Sequence, residues 1–238
     1  MMRSSAATMA ALSACVVLAG CATADKGAPV VRVAEAAKPS QARALDHVLP
    51  TLDEMAVVLG SRGFMGQLVE GGADMLLAGV GESQATPVDC VSPTYRLQKV
   101  VYQVGPVRAV ASQSWAGGSF DGPPVSGFFG VVQFATADDA QAFFAATADK
   151  WHRCNGQTMV LHQPDRGADG TSRITDVTVD QRMVSAVVMR DAGSTTQRAL
   201  GVAADCIVDV EITDAHGAGG APGAVGVTNL MLQKIGFS

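Results

Sequence analysis

Two shortages in this sequence, of aromatic and of charged residues, narrow the functions open to the protein. Aromatic residues make up 5% of the chain, while Ala, Val and Gly supply most of its apolar mass. That composition favours a tightly packed body of sheet and helices over a large aromatic pocket. Charged residues amount to 16%, the formal net charge is −5, and the Lys and Arg residues are scattered. We exclude nucleic acid as a partner, because its phosphates are bound by clustered positive charge.

The sequence also lacks the residue patterns of the common catalytic and metal sites. None of its four histidines has the spacing of metal ligands; they are His47, His152, His162 and His216. His152, two residues before Cys154, is predicted to lie on the surface. There is no GxSxG nucleophile elbow, and the glycine-rich loop 217–220 is not followed by the βαβ unit that a dinucleotide site requires. We therefore predict no catalytic residue, no metal site and no cofactor, and interpret the chain as a protein without enzymatic activity.

The apolar run at the N-terminus is too short to cross a membrane. Ala6–Ala19 carries no charge and follows Arg3, but a transmembrane helix needs roughly 20 apolar residues. A short run of this kind behind a positive charge is typical of a signal peptide. It ends in Leu18-Ala19-Gly20-Cys21, which resembles the lipobox of bacterial lipoproteins, where the cysteine thiol receives a diacylglyceryl group. The alternative is an ordinary secretory signal with a chance cysteine.

These features predict three parts of the chain. Residues 1–20 are a lipoprotein signal peptide that is removed, and Cys21 is the lipidation site. Residues 21–40, small and interrupted by proline, form a flexible tether. Residues 41–238 form the globular domain. Because two or more acyl chains hold a protein stably at a bilayer, we expect the membrane as a partner through Cys21, with the domain on the extracytoplasmic face.

The domain is organised around a strand that leads into a helix, within Gly127–Cys154. Apolar residues occupy both faces of the strand, which is typical of the middle of a covered sheet. Thr136 is the predicted N-cap, and Asp138 and Asp139 lie in the first turn, where carboxylates favour the helix dipole. One stripe of the helix is apolar and ends at a cysteine; it contains Ala140, Phe143, Phe144, Thr147, Trp151 and Cys154.

Hydrophobic periodicity predicts the other elements. Two short helices fall within residues 41–60, a final helix covers Ala224–Ile235, and Gly117–Gly127 is a loop. The predicted strands are Leu97–Val104, Val107–Trp115, Thr158–Gln163, Arg173–Val179, Arg182–Met189 and Ala203–Thr213. In the last of these, Asp205, Asp209 and Glu211 share a face that we interpret as solvated. The fold class is therefore α+β, an antiparallel β-sheet packed with helices.

Three cysteines remain in the domain, and outside the cytoplasm they are disulfide candidates. Cys206 is the one left over, because its neighbours on the same strand face are core aliphatic residues. Cys90 in a loop and Cys154 at a helix end occupy positions that can meet, and a bridge between them would add about 4 kcal/mol of stability. The pairing of Cys154 with Cys206 stays open, since connectivity does not follow from sequence alone.

Several segments together resemble a known family. They are the lipobox, Leu45–Leu49 with Pro50, Val88-Asp89-Cys90, a strand and an AxxFF helix ending in Trp151-His152-Arg153-Cys154, Gln197-Arg198-Ala199-Leu200, and Ile207-Val208-Asp209-Val210. This pattern is similar to the extracellular sensor domain of mycobacterial PknH-type transmembrane Ser/Thr kinases, and to lipoproteins that carry this domain alone. The resemblance covers about Gln41 to the C-terminus.

The resemblance implies an α+β domain with a cleft that binds an unidentified envelope ligand without catalysis. Relatives usually carry two disulfides, of which the first matches Cys90 and Cys154, while Thr196 and about Thr213 stand where the second is expected. We therefore expect a membrane-anchored envelope lipoprotein with a ligand-binding or sensor-type domain. Its expected ligand is a small molecule, lipid or glycan of the envelope. The alternative function is a lipid or glycolipid carrier.

Overall fold

One antiparallel sheet organises the part of the chain that the computed structural model describes, residues 44–118, 124–163, 167–191, 193–214 and 223–236. These residues belong to the compact unit Ala37–Ser238. The predicted signal peptide 1–20, the predicted tether 21–40 with Cys21, residues 41–43, His216 and the loop 217–220 lie outside the described residues.

The sheet explains why so many segments alternate between apolar and polar residues. Its strands are β1 Gly63–Met65, β2 Val69–Gly71, β3 Ala85–Thr86, β4 Val107–Gly117, β5 Val125–Phe134, β6 Thr158–Leu161, β7 Gly170–Val179, β8 Met183–Arg190, β9 Thr195–Ala203 and β10 Cys206–Asp214. Their order is β1-β4-β5-β10-β9-β8-β7-β6-β3, with β2 also paired to β4, and every pairing is antiparallel. The predicted α+β class is confirmed.

Helices cover both faces of this sheet. They are α1 Leu52–Leu59, α2 Val91–Thr94, α3 Lys99–Tyr102, α4 Ala137–Cys154 and α5 Gly223–Gly236, with 3-10 turns at Asp46–Val48, Ala73–Met75, Glu82–Gln84 and Val88–Cys90. One hydrophobic core lies between the sheet and helices α2, α3 and α4. A second lies between the opposite face and helices α1 and α5. Strands β5 and β10 contribute to both cores, as the apolar residues on both faces of β5 predicted.

The central strand and helix have the predicted form. Thr136 is the N-cap of α4, and its Oγ1 accepts a hydrogen bond from the backbone N–H of Asp139 at 3.1 Å. The predicted apolar stripe is buried throughout, from Ala140 to Cys154. Both core-forming and capping signals are local in this segment, so the helix bounds agree with those read from the sequence.

Four expectations about elements are corrected. Leu97–Val104 is not a strand: Leu97 has a φ of +47°, which turns the chain, and a short helix follows it. The first helix expected within residues 41–60 is only the 3-10 turn Asp46–Val48 among the described residues. Thr195–Ala203 is a central strand that the pattern did not indicate. The loop expected at 117–127 is shorter, because β5 begins at Val125.

Candidate functional site

A buried ion pair lies at the centre of the α4 face of the sheet. Arg198 of β9 and Asp209 of β10 are joined by an Nη2–Oδ1 distance of 2.7 Å, and their side chains are 0% and 2% exposed. Removing two charges from water costs free energy, which is recovered only if further hydrogen bonds satisfy the buried groups. Glu211 of β10 and Asp205 in the turn before it are also buried, so the solvated surface predicted for Asp205, Asp209 and Glu211 is wrong.

The ion pair ties the segment Val91–Tyr102 to the sheet. The Oδ2 atom of Asp209 accepts hydrogen bonds from the backbone N–H of Leu97 at 2.8 Å and from the Tyr102 hydroxyl at 2.9 Å. Arg198 donates to the carbonyl oxygens of Val210 and Ser92. Burial, together with the adjoining Asp209 carboxylate, raises the pKa of Tyr102 well above its ordinary 10.0, because both disfavour the phenolate.

Trp151 and the disulfide join α4 to the buried Arg198–Asp209 pair and to the segment packed on it. Trp151 donates its indole N–H to Ser92 Oγ at 2.8 Å, and its ring lies 5.7 Å from the guanidinium carbon of Arg198. The predicted bond between Cys90 and Cys154 is present, with an S–S distance of 2.03 Å, and the rival pairing with Cys206 is wrong. Four of the segments that carry the family resemblance, those containing Cys90, Trp151, Arg198 and Asp209, therefore converge in space, although they are far apart in sequence.

Cys206 lies on the other side of the sheet. Its thiol is fully buried among aliphatic side chains, as predicted, and donates to Asp205 Oδ1 at 3.5 Å. The Asp205 carboxylate also accepts from Gln133 Nε2 at 2.8 Å. This thiol is therefore enclosed by the core and the local polar contacts of β5 and β10.

Two further arginines flank the buried cluster at its outer rim. Glu211 meets Arg96 at 2.9 Å and Arg190 at 3.8 Å. The guanidinium of Arg96 stacks on Phe128, 3.5 Å from the ring centre, and that of Arg190 lies 4.9 Å from the ring centre of Tyr95. A small pocket of about 190 Å³ opens beside Arg96 and Phe128. Because these charges already contact Glu211 and aromatic faces, the rim chiefly holds the segment carrying Tyr95 and Arg96 in place.

An open groove of about 480 Å³ lies on the outer side of the same segment, against α4. One wall is a stripe of α4 consisting of Asp139, Ala142, Phe143, Ala146, Thr147 and Lys150. The opposite wall is mainly aliphatic and contains Val88, Val100, Val101 and Val104. Val104 is 79% exposed, which is unusual for a large apolar side chain. A concave, mostly apolar surface with a few polar groups is the usual form of a ligand site.

The groove has no signature in the sequence, because its walls come from distant parts of the chain. The valines at 100, 101 and 104 were assigned to a strand, whereas α3 turns Tyr102 into the core and leaves the valines along the groove. The exposed alanines of α4, Ala142 and Ala146, gave no signal, since alanine is common on exposed helix faces. The hydrophobic pattern marked the neighbouring stripe of α4, which shares only Phe143 and Thr147 with the groove wall.

Thr86, His162 and Asp169 form a chain of hydroxyl, imidazole and carboxylate, the arrangement found in hydrolase triads. Thr86 Oγ1 lies 3.3 Å from His162 Nε2, and His162 Nδ1 lies 3.0 Å from Asp169 Oδ2. The side chains of His162 and Asp169 are 45% and 52% exposed, so water competes for each bond. None of the three lines the groove or the small pocket, and an exposed threonine is a poorly activated nucleophile. The arrangement fastens the edge strand β3 to the turn before β7.

The remaining candidate residues are surface features. His152 is exposed on α4, as predicted. Within the described ranges, no group of three or more His, Cys, Asp or Glu side chains is arranged to hold a metal ion. None of the helices in those ranges combines the length and apolar character needed to cross a bilayer.

Comparison with known proteins links this architecture to one family. The family model for the PknH-like extracellular domain matches residues 40–234. Among solved structures, the crystal structure of the extracellular domain of PknH from Mycobacterium tuberculosis is similar, with a TM-score of 0.71 and 22% sequence identity. The match covers 84% of this chain and 99% of that one. No curated protein matches the sequence.

Proposed function

The chain belongs to the PknH-like extracellular domain family, and from this membership we propose that it is a lipid-anchored protein of the mycobacterial cell envelope with a non-catalytic, sensor-type ligand-binding domain. The proposal has two parts, the anchor and the ligand site. The family match spans most of the segment assigned to the globular domain, and the lipobox-like run precedes it in sequence.

The anchor is supported by the sequence Leu18-Ala19-Gly20-Cys21. Diacylglyceryl transfer to the Cys21 thiol followed by cleavage leaves at least two acyl chains, which suffice for stable attachment to a bilayer. Intact-mass measurement of protein from the membrane fraction of a mycobacterial host tests this. We expect a chain beginning at Cys21 with added acyl groups, lighter by two hydrogens for the Cys90–Cys154 bond. A Cys21→Ala variant should leave the membrane; an unacylated wild-type protein would rule out the anchor.

The ligand site is supported by the groove between α4 and the valines of segment 100–104. Its volume of about 480 Å³ lies in the range of small-molecule sites, and its walls expose apolar side chains that gain from being covered. The valines and alanines of the lining fit a narrow apolar body such as an acyl chain or isoprenoid portion of an envelope ligand. Its open shape allows a ligand to be sensed while still partly exposed.

Native mass spectrometry after incubation with envelope extracts tests the ligand site. Ala146→Trp fills the groove, and Ala145→Trp is the matched control, because both alanines are exposed on α4 but only Ala146 lines the groove. We expect an added ligand mass with the wild-type protein and the control, and its loss with Ala146→Trp. Failure of every extract to add mass, or equal binding by both variants, would refute the assignment.

The second candidate function is that of a lipid or glycolipid carrier, supported by the apolar lining of the same groove. A carrier must shield a lipid during transfer, whereas a sensor needs only to bind it. Transfer of a fluorescent phospholipid between vesicles separates the two functions. Acceleration by wild-type protein and Ala145→Trp, but not by Ala146→Trp, would favour the carrier; no acceleration favours the sensor.

The proposal assigns no catalysis to Thr86, His162 and Asp169. Their exposure and their absence from the groove lining support a structural role. Hydrolysis of chromogenic esters by wild-type protein and by His162→Gln measures this directly. We expect the same background rate for both proteins. A rate that falls with His162→Gln would show that these side chains catalyse hydrolysis.

A further inference from the structure

The charges around the groove are unevenly distributed along α4. At the end near the disulfide, the Lys150 ammonium meets Asp89 at 3.0 Å, so this carboxylate is neutralised within the protein. At the other end, Asp139 lies in the first turn of α4. The two ends are separated by eleven helical residues, or about 16 Å at 1.5 Å per residue.

Glu82 joins Asp139 at the same end of the groove. The carbonyl of Pro106 accepts a hydrogen bond from the N–H of Ala135 at 3.0 Å, which places residues 103–106 beside the start of α4. Gln103 in turn donates its side-chain amide to Glu82 Oε1 at 2.9 Å. Glu82 and Asp139 both line the groove, and the Gln103 contact links Glu82 to the segment that packs beside the start of α4.

Neither of these carboxylates meets a cation inside the protein. Glu82 accepts from Gln103, and Asp139 accepts from the Thr136 hydroxyl, but within the described residues no Lys, Arg or His side chain lies within 4 Å of either carboxylate. The N-terminus of α4 contributes roughly half a positive charge, which offsets only part of two carboxylates. The apolar groove is therefore bordered by two negative charges.

We propose that the groove binds an amphiphile with an apolar chain and a protonated amine, the chain lying between Val101 and Ala146 and the amine between Glu82 and Asp139. This rests on the groove being the ligand site. Charge complementarity selects the cation: an ammonium gains from two carboxylates, while a carboxylate or phosphate headgroup at the same position is repelled. A ligand with a neutral headgroup gains binding free energy only from contact between its chain and the apolar lining.

Titration calorimetry with three probes of equal chain length tests this assignment. The probes are dodecylammonium chloride, sodium laurate and dodecyl maltoside, each below its critical micelle concentration. We expect dodecylammonium to bind about five- to tenfold more tightly than the other two, because each partly exposed ion pair adds a small favourable increment. Raising the ionic strength should remove most of that difference and leave the maltoside unaffected.

Charge-neutralising variants locate the effect. Glu82→Gln with Asp139→Asn should weaken dodecylammonium binding to the level of the maltoside. Asp138→Asn with Asp149→Asn is the matched control, since both residues are exposed on α4 and neither lines the groove, and it should change binding less than twofold.

The possible failures are distinct. Equal binding of all three probes, or no effect of the Glu82 and Asp139 substitutions, would overturn the amine assignment while the groove remained the ligand site. Probe binding that Ala146→Trp does not weaken would overturn the groove itself, and with it the proposed function.

Discussion

Asp209 joins strand β10 to strand β9 and to the segment Val91–Tyr102 through buried polar contacts. Its carboxylate meets Arg198, the N–H of Leu97 and the hydroxyl of Tyr102. In Asp209→Asn the shape of the side chain is kept, but the guanidinium of Arg198 stays buried without an opposite charge. We expect a loss of about 3–5 kcal/mol in the free energy of unfolding, measured by urea denaturation.

The control for this measurement is Glu70→Gln, which removes a carboxylate from the exposed strand β2. Exposed substitutions usually change stability by less than about 0.5 kcal/mol. A loss below about 1 kcal/mol in Asp209→Asn would contradict the role assigned to the buried pair.

Tyr102 gives the protein a sensitivity to alkaline pH. Burial, with the Asp209 carboxylate beside it, raises the pKa of Tyr102 well above 10.0 in the folded state, whereas the unfolded chain ionises near the ordinary value. The resulting stability is fully present below about pH 10 and is lost as the pH rises from there through the folded-state pKa. By pH 11 the unfolded state gains about 1.4 kcal/mol from this residue.

Comparison with Tyr102→Phe isolates the effect of this hydroxyl. Urea denaturation at pH 8 and pH 11 should show wild-type protein losing about 1.4 kcal/mol more than the variant over that interval. Equal losses in the two proteins would show that Tyr102 ionises as readily in the folded state as in the unfolded chain.

Alternation in β10 predicted which residues share a face and that the Cys206 face is buried, but it wrongly assigned the opposite face to solvent. Cys206, Val208 and Val210 are buried as predicted. Asp209 is buried as well, because Tyr102 reaches it from 107 positions earlier in the chain and Arg198 from the neighbouring strand. Periodicity reports only the chemistry of one segment, so a buried carboxylate with a distant partner is read as an exposed one.

At the scale of elements, strands β9 and β10 meet where the family resemblance implies a second disulfide. Thr196 and Thr213 are directly opposite in the antiparallel register, and their hydroxyl oxygens are 3.1 Å apart. Opposite residues in such a pair have Cα atoms about 4.5–5.5 Å apart, which is within the range that a disulfide spans.

Replacing both threonines by cysteine should therefore create a bond without moving the strands. The two positions are 213 − 196 = 17 residues apart, and closing a loop of about that length adds about 3 kcal/mol in the chain-entropy model. Thermal unfolding of oxidised Thr196→Cys/Thr213→Cys should show a higher Tm than wild type. The reduced double variant is the control; if oxidation leaves its Tm unchanged, the register is not as described.

Elements with strong local signals were predictable, and those set by distant contacts were not. Helix α4 carries its own cap and apolar stripe, so its bounds followed from the sequence. Lys99–Tyr102 is rich in β-branched residues, which favours a strand, but Leu97 turns the chain and its N–H is held by Asp209. Tertiary contacts thus override local propensity at this segment.

For the molecule as a whole, the fold class and the family were accessible from sequence, and the resemblance implied a cleft, but the position of the groove was not predicted. Repeated alternation between turns indicates an antiparallel sheet, and the Trp151–Cys154 segment carries much of the family resemblance. The groove is formed by α4 together with segments 82–92 and 100–106, and only the packing of these elements brings Val101 and Ala146 to one surface.

A crystal structure of the protein loaded with envelope extract would show whether this groove is the ligand site. We predict electron density for an elongated molecule against Val101 and Ala146, with its polar end beside Glu82 and Asp139. An empty groove with the ligand bound elsewhere, for example in the pocket beside Arg96 and Phe128, would show that the groove is not the ligand site.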